Sequence, residues 1–442
     1  MSVKLSPTVA CAFATFIAAA HAGNLGYTVT VDGKPVDVTE IVAPVHWVPS
    51  LPADAAQPYA YAQFDAAGEA TVHVTVEGMR TDRLAILPAS ACAGMAQTGH
   101  SVSFRMKPGR QLVVEPNGRH RALVIAANPQ ERDVPDRNDP NTVWVGPGRH
   151  RRNIKLASNQ TLYLAPGAVV EGNLRASGTN MTICGRGRFD GSCWGHYEGP
   201  GRMAIIGGRD VRVRDVAFSS AWSWCLVFEG CTNAVVENVK ILGGHVLNDD
   251  GIDVCRSRNV TIRDTFIRSQ DDCIAVKWDA EDVLAERCVL WTDLANVFRI
   301  GFECSGKPFR RLAFRDLDIL HMTLVGANHP TNFWAHCAFC VQPTSESRMG
   351  DIRFEDVRFA TAETNQILLL ARTMSMTKRW RLPYATPGYL DGLTLRNVTL
   401  PPNALPVHVD AADSVHSIAN VVFENVSPHG PHTEIVQGVA AP

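Results

Sequence analysis

The chain has 442 residues, of which 45% are hydrophobic and 19% are charged. Its 42 Lys and Arg residues against 44 Asp and Glu residues give a net charge of −2. This balance disfavours a nucleic-acid-binding protein with a basic face, and it disfavours an acidic disordered tail. The length allows roughly two to four ordinary domains or one long repetitive domain.

Residues 1–22 are typical of a secretory signal peptide. Lys4 precedes a short apolar stretch that ends at Ala20, and the sequence Ala-His-Ala at positions 20–22 fits an A-x-A cleavage site. The stretch is too short to span a membrane, and no later segment has the character of a membrane span. We therefore expect a secreted or periplasmic protein without a membrane partner.

Residues 23–130 are predicted to form a small N-terminal β-sandwich. Turn-forming pairs such as Asp32-Gly33 separate short segments in which apolar and polar residues alternate, at 27–31, 70–76, 101–105 and 111–115. The polar, proline-containing stretch 131–140 has no such periodicity, and we interpret it as a linker.

Beyond the linker the sequence repeats itself. The pattern R-D-V-R-V-R-D-V at 209–216 recurs as N-A-V-V-E-N-V at 233–239 and as N-V-T-I-R-D at 259–264. A period in the twenties with strand-type alternation, and without sustained helical periodicity, is typical of a solenoid of stacked β coils. The predicted fold class is therefore all-β, with a right-handed parallel β-helix over residues 140–435.

Cysteine usage is compatible with export. Loss of Cys11 with the signal peptide leaves eleven of twelve cysteines, and disulfides are permitted outside the cytosol. Cys273 and Cys288 lie near one coil apart, so one candidate disulfide joins them. The Cys-Ala-Phe-Cys sequence at 337–340 has no second C-x-x-C, which favours buried thiols or a local disulfide over zinc. No metal or other cofactor is predicted.

Carboxylates interrupt the repeat in two segments, N-D-D-G-I-D at 248–253 and Q-D-D-C-I-A-V-K at 270–277. Asp250 and Asp271 are separated by close to one coil, and equivalent residues of neighbouring coils lie about 4.8 Å apart. We therefore expect Asp250, Asp271 and Asp272 to converge on one side of the helix. Such proximity raises at least one carboxyl pKa and leaves an acid beside a base, as glycoside hydrolysis requires.

Two alternatives use the same residues differently. Asp is common in solvated turns, so each Asp taken alone is compatible with a turn position. A Ca²⁺ site of the kind found in polysaccharide lyases would also draw on several oxygens. A lyase acting on an acidic glycan would further need a strong base, for which Lys277 and Arg299 are candidates.

At these segments the chain resembles the pectin-lyase-like glycoside hydrolases, namely polygalacturonase family 28 with features of the dextranase/isopullulanase family 49. Residues 248–250 resemble the N-T-D segment with Thr replaced by Asp, and residues 271–273 match the D-D-C segment. Residues 185–191 are similar to the G-x-G-x-I-D-G coil, and residues 221–223 are similar to part of the S-P-F-W-T turn.

The resemblance implies a secreted inverting glycoside hydrolase that cleaves a polysaccharide or oligosaccharide. Asp271 would be the general acid, and Asp250 and Asp272 would activate the attacking water. The chain also departs from the polygalacturonase pattern. Residues 296–303 lack the histidine of the G-H-G motif, and Arg299-Ile300 is not followed by the lysine of R-I-K. These departures, with the N-terminal unit, favour the dextranase branch and a neutral substrate.

The candidate substrate-binding residues are Lys277, Arg299, Glu303 and Trp222. Arg299 and Glu303 fit either a sugar subsite or a buried ion pair, and Trp222 fits either a sugar-stacking platform or core packing. The insertions at 321–350 and 361–390 are expected to wall the groove. A polysaccharide lyase and a non-catalytic carbohydrate-binding β-helix remain the alternative functions.

Overall fold

The computed structural model describes residues 25–41, 58–78, 81–322, 336–361, 367–375, 386–400 and 405–427, and the backbone of 435–438. The predicted signal peptide lies outside these residues. Across the described ranges the secondary structure is β-strand apart from one 3-10 turn, Ala89–Ala91. None of the helical structure in these ranges could cross a membrane. The all-β prediction is confirmed.

Ten strands precede the repeat and form two five-stranded sheets, with orders β2-β1-β5-β8-β7 and β3-β4-β10-β9-β6. Alternating residues of both sheets point into one shared apolar core. The strands are β1 (Tyr27–Val31), β2 (Lys34–Val36), β3 (Val38–Ile41), β4 (Tyr59–Ala66), β5 (Ala70–Val76), β6 (Leu84–Leu87), β7 (Cys92–Thr98), β8 (Ser101–Met106), β9 (Arg110–Pro116) and β10 (Leu123–Pro129).

We call residues 25–129 the N-terminal unit. The remaining strands form a single parallel sheet. They are β11 (Thr142–Val145), β12 (Gly148–Arg151), β13 (Ile154–Leu156), β14 (Thr161–Leu164), β15 (Ala168–Glu171), β16 (Leu174–Gly185), β17 (Arg188–Asp190), β18 (Ala204–Arg214), β19 (Ala217–Ser219), β20 (Leu226–Glu237), β21 (Lys240–Leu242), β22 (Ile252–Arg263), β23 (Phe266–Ser269), β24 (Ile274–Thr292), β25 (Phe298–Met322), β26 (Phe339–Gln342), β27 (Arg348–Phe359), β28 (Leu369–Arg372), β29 (Tyr389–Thr399), β30 (Val407–Asp410), β31 (Ile418–Ser427) and β32 (Ile435–Gly438).

The parallel sheet is a β-helix because strands pair with their equivalents in the next coil. Leu226 lies beside Ile252, and Ile252 lies beside Ile274. These residues belong to one continuous apolar core that extends from Val145 to Val409. The side chains that alternate with them, such as Asp253 and Lys277, therefore lie on the outer face of the coils.

Asparagine residues stack at one bend of successive coils. Asn180 donates to Asn159 at 3.0 Å, and Asn259 donates to Asn233 at 2.7 Å. All four residues have positive φ angles between 53° and 63°. Asn tolerates this left-handed conformation better than most residues, so the sequence repeat marks the bends.

The N-terminal unit packs against the side of the β-helix. The second sheet turns one face into its own core and the other onto apolar residues from successive coils: Ala217, Leu242, Phe266, Val289 and Leu320. Polar contacts flank this interface, including an ion pair of 2.7 Å between Arg186 and Asp65. Buried Lys240 bonds to Asn128 across the same interface.

The described residues include eleven cysteines, and all are free thiols. Cys273 and Cys288 are both buried in the β-helix core and do not form the candidate disulfide. A solenoid with a continuous apolar interior accommodates these thiols as small hydrophobic side chains.

Candidate active site

The site lies where the chain turns between β21 and β22. The carboxylate of buried Asp249 accepts hydrogen bonds from the backbone N–H groups of Gly244 and His245, each at 2.8 Å, and from Gln270 at 2.5 Å. Asp249 therefore fixes the turn and links it to the next coil. The following residue, Asp250, projects from this fixed turn.

Equivalent positions of three coils carry polar residues. The N–H of Gly251 donates to the carbonyl of Asp272 at 2.8 Å, and the N–H of Cys273 donates to the carbonyl of Asn296 at 3.0 Å. Asp250, Asp272 and Asn296 are thus stacked one coil apart. Asp271 precedes Asp272, is partly exposed, and accepts a hydrogen bond of 3.3 Å from Asn248.

Asp271 lies in an environment that favours its protonated form. Burial raises its pKa well above the usual carboxyl value, and the neighbouring charges of Asp250 and Asp272 raise it further. Lys277 and Arg299 oppose this shift without reversing it. The charges of Asp250 and Asp272 thus both act on Asp271.

Asp272 lies in an environment that favours its ionised form. Burial alone would raise its pKa, but Arg299, Lys277 and Asn296 lower the pKa below the usual value. Arg299 Nε lies 2.9 Å from Asp272 Oδ2, and the Asn296 side-chain amide donates to Asp272 Oδ1 at 2.6 Å. The pKa values of these two adjacent carboxyl groups are thus shifted in opposite directions.

Lys277 is the second buried cation of the site. Its Nζ lies 2.8 Å from Asp250 Oδ2, 2.9 Å from Asp253 Oδ1 and 4.0 Å from Glu303 Oε2. The carboxylates raise the pKa of Lys277, overcoming burial, so the lysine stays charged. Burial raises the pKa of Asp250 and raises that of Asp253 more strongly, against the opposing effect of Lys277.

We call Asp250, Asp253, Asp271, Asp272, Glu303, Lys277 and Arg299 the carboxylate cluster. Its five carboxyl groups face two cations, so the cluster accommodates protons in preference to further negative charge. Neither this cluster nor any other part of the described ranges contains a group of three or more His, Cys, Asp or Glu side chains arranged to hold a metal ion.

The structure changes the interpretation of the predicted substrate-binding residues. Trp222 is fully buried in the β-helix core and packs against Trp194 at 4.5 Å between ring centroids, so the prediction of a sugar contact is wrong. Lys277 and Arg299 are buried and paired with carboxylates, so they contact the acids from the protein interior. Only Glu303, whose side chain is 23% exposed, keeps open access.

Two exposed residues at the site escaped the sequence analysis. Tyr197 is 60% exposed and lies in the segment between β17 and β18. Its pKa is raised by burial of part of the ring and by the charges of Asp250 and Asp271. Neighbouring His196 contacts the Asn248 side chain at 3.2 Å. The sequence signal available for these two residues was the adjacent aromatic pair His196-Tyr197, which lies in a polar segment that interrupts the repeat.

Asn296 and Asp253 also contribute to the site without having been singled out. Asn296 binds Asp272 directly, and Asp253 shares Lys277 with Asp250. Asp253 ends the same segment as Asp250, and strand alternation places it on the outer face. Only the position of the Lys277 side chain reveals the contact.

Comparison with known proteins finds similarity to glycoside hydrolases. The family model of glycosyl hydrolases family 28 matches residues 168–292, a segment that contains Asp250, Asp271 and Asp272. A probable rhamnogalacturonase A of Aspergillus oryzae is 33% identical over 92 residues, or 21% of this chain and 20% of that protein. An exopolygalacturonase of Cochliobolus carbonum is 25% identical over 126 residues, or 25% of this chain and 28% of that protein.

The alignment with the rhamnogalacturonase spans only about a fifth of that relative's length. Among solved structures, Dex49A from Penicillium minioluteum has a TM-score of 0.65 at 14% identity, covering 91% of this chain and 94% of that chain. This likeness extends the shared fold over both the N-terminal unit and the β-helix. The predicted resemblance to the pectin-lyase-like glycoside hydrolases is confirmed.

Proposed function

We propose that the chain is a glycoside hydrolase that cleaves a polysaccharide or oligosaccharide with inversion at the anomeric carbon. In this mechanism Asp271 donates a proton to the glycosidic oxygen as the bond breaks. Asp250 and Asp272 orient the attacking water and remove its proton. The product then carries the opposite anomeric configuration, and no covalent enzyme intermediate forms.

The observation that supports this proposal most strongly is the contrast between the surroundings of Asp271 and Asp272, which shift the two carboxyl pKa values in opposite directions. The environment of Asp271 raises its pKa, whereas Arg299 and Asn296 stabilise the ionised form of Asp272. A general acid must carry its proton at the working pH, and a base must lack one. Adjacent residues of one turn meet both requirements.

The substrate class follows less directly. The relatives include a probable rhamnogalacturonase and an exopolygalacturonase, which are names of pectin-degrading enzymes. In this chain the two buried cations are already paired with Asp272 and with Asp250 and Asp253, so neither is free to bind a sugar carboxylate. We therefore retain a neutral glycan as the preferred substrate and acidic pectic glycans as the comparison.

The finer architecture is part of the same proposal. We interpret residues 23–130 as a β-sandwich because two sheets share one core, and residues 140–435 as a right-handed β-helix. Residues 1–22 would direct export, which gives the enzyme access to polysaccharides outside the cell. Tyr197 is an exposed aromatic side chain beside the acids, so we assign it to a sugar-binding subsite.

The test compares Asp271→Asn with Asp282→Asn, an exposed coil residue paired with Arg311. Reducing-sugar release is measured on dextran, pullulan, arabinan, fructan, rhamnogalacturonan and polygalacturonan, and NMR follows the anomeric configuration of the first product. Asp271→Asn should lower the turnover rate at least about 10²–10⁴-fold without loss of folding. Asp282→Asn should retain wild-type turnover.

Other outcomes identify the alternatives. A product that absorbs in the ultraviolet, and whose formation stops with a chelator, would indicate a polysaccharide lyase. Glycan binding without sugar release by either protein would indicate a carbohydrate-binding β-helix. Near-normal hydrolysis by Asp271→Asn on every responsive glycan would refute the assigned acid.

A further inference from the structure

A cavity of about 440 Å³ lies between the N-terminal unit and the first coils of the β-helix. Its walls include Thr39, Tyr61 and Phe64 from the N-terminal unit, and Arg186 and Arg188 from the β-helix. None of its lining residues belongs to the carboxylate cluster. Its volume lies in the range of about 300–1,000 Å³ that is typical of small-molecule sites.

Three buried hydrogen-bond donors at this cavity, Tyr61 Oη, Arg188 Nε and Arg186 Nη1, have no hydrogen-bond acceptor among the described residues, although Arg186 Nη1 lies within ion-pair distance of Asp215. Tyr61 is 4% exposed, and its hydroxyl has no hydrogen-bond partner. The Nε of Arg188 is likewise buried without a partner. The ion pair of Arg188 with Asp190 is long, at 4.0 Å, and Asp190 is shared with Arg149 at 3.5 Å. Buried donors normally have partners, and an unpaired one costs about 1–3 kcal/mol.

The neighbouring arginine in the same wall is held by partners on both sides of the interface. Arg186 lies 2.7 Å from Asp65 and 2.9 Å from Asp215, and it donates to the carbonyl of Pro129 at 2.6 Å. Arg186 therefore joins the N-terminal unit to the β-helix. Arg188 has no comparable structural role, which leaves its guanidinium available to a ligand.

Tyr61 and Arg188 line the same cavity and also interact electrostatically. Burial raises the pKa of Tyr61, and the charges of Arg188 and Arg186 oppose that shift. Burial and the charge of Arg149 lower the pKa of Arg188, although the guanidinium remains cationic at neutral pH. A phenol O–H and an incompletely paired cation at one cavity are suited to an acceptor with negative charge.

We propose that this cavity binds a small hydroxylated monocarboxylate, such as a sugar acid, whose carboxylate accepts hydrogen bonds from Arg188 and Tyr61. Asp37 and Asp65 also line the cavity, so a dianion such as phosphate would be repelled. Their oxygens are acceptors for ligand hydroxyl groups, and Pro35 and Pro166 add apolar lining for the C–H groups of a sugar. The site is separate from the carboxylate cluster and does not depend on the proposed hydrolysis.

The test uses the full chain carrying Asp271→Asn, so that no ligand is consumed by the proposed reaction. Calorimetry and thermal denaturation are recorded with glucuronate, glucose, acetate and inorganic phosphate as probes. Glucuronate should bind with one-to-one stoichiometry and raise the melting temperature. Glucose and phosphate should bind at least about tenfold more weakly, because each lacks one of the matched features.

Two cavity variants separate ligand binding from folding. Tyr61→Phe removes a hydroxyl without a partner, so without ligand its melting temperature should equal or exceed that of the parent. The same change should weaken glucuronate binding about tenfold, and Arg188→Met should abolish it. A lower melting temperature for Tyr61→Phe without ligand, unchanged glucuronate affinity in both variants, no glucuronate binding by the parent, or stronger binding of phosphate would each overturn the proposal.

Discussion

Replacing Lys277 with Met removes the buried cation that faces Asp250 and Asp253. The Nζ lies 2.8 Å from Asp250 and 2.9 Å from Asp253, and it packs over the Trp224 ring at 3.6 Å from the centroid. Met preserves most of the packing volume in the coil, so the substitution acts mainly on charge. We expect it to be strongly destabilising at neutral and alkaline pH.

The magnitude follows from these distances. At an effective dielectric constant of about 20, unit charges 2.8 Å apart attract by about 6 kcal/mol. Protonation of Asp250 or Asp253 relieves part of the unpaired charge in the variant. We therefore expect the free energy of unfolding to fall by about 3–5 kcal/mol, the cost typical of breaking a buried ion pair.

The pH dependence gives the prediction a sign. Burial raises the pKa of Asp250 and Asp253 in the folded protein, and removal of Lys277 raises both further. Between the ordinary carboxyl range and these raised values, the folded protein binds more protons than the unfolded chain. The free energy of unfolding then falls as pH rises. The deficit of Lys277→Met relative to wild type should therefore be larger at pH 8 than at pH 5.

Urea denaturation followed by tryptophan fluorescence at the two pH values measures this deficit. Lys307→Met, at an exposed position of β25, serves as the matched control and should match wild type at both. Adding Asp253→Asn to Lys277→Met should recover part of the loss, because it removes one unpaired carboxylate. A deficit that is independent of pH, or no deficit at all, would refute the reasoning.

Three further substitutions test other contacts. Arg299→Met removes the cation that stabilises ionised Asp272, so the acidic limb of the kcat/KM profile should move to higher pH, with at least about tenfold less activity at pH 5. Lys240 has its pKa lowered by burial to about 7. The unfolded chain therefore binds more protons above that pH, so wild-type stability should rise between pH 7 and pH 10, and Lys240→Met should abolish the rise in thermal denaturation. Tyr59→Phe removes the 2.9 Å hydrogen bond to the Gly243 carbonyl and should cost about 0.5–1.5 kcal/mol in urea denaturation.

The sequence alone predicted much of the fold and the central carboxylates of the site. The near-regular repeat predicted stacked parallel coils, and stacking places residues one coil apart on the same edge. That reasoning placed Asp250 and Asp271 one coil apart, whereas the backbone hydrogen bonding makes Asp272, one residue later, the equivalent of Asp250. Asn233 and Asn259 begin two copies of the repeat, and both lie at bends with a positive φ angle, which Asn tolerates better than most residues.

The remaining contacts depend on the direction in which each side chain points, and the sequence repeat does not encode that direction. Alternation places Lys277 on the outer face, but a long flexible side chain there either reaches solvent or turns back to carboxylates on another coil. Trp222 was misassigned because it lies in a turn that re-enters the core, where alternation no longer separates inside from outside. The interface with the N-terminal unit requires two surfaces to match, and neither repeat nor alternation describes that match.

The N-terminal sheet contacts apolar residues of coils from Ala217 to Leu320, and this has a mechanical consequence. In a solenoid each coil normally contacts only its neighbours, so segments can open one by one. The second sheet of the N-terminal unit instead contacts several successive coils at once, including those that carry Asp250 and Asp272. Opening any of these coils therefore also requires breaking its contacts with the second sheet. Amide exchange should therefore be slowest in the coils that contact the second sheet and fastest in the coils beyond Asp391. The distal end of the β-helix can then open while the coils that carry the active site stay rigid.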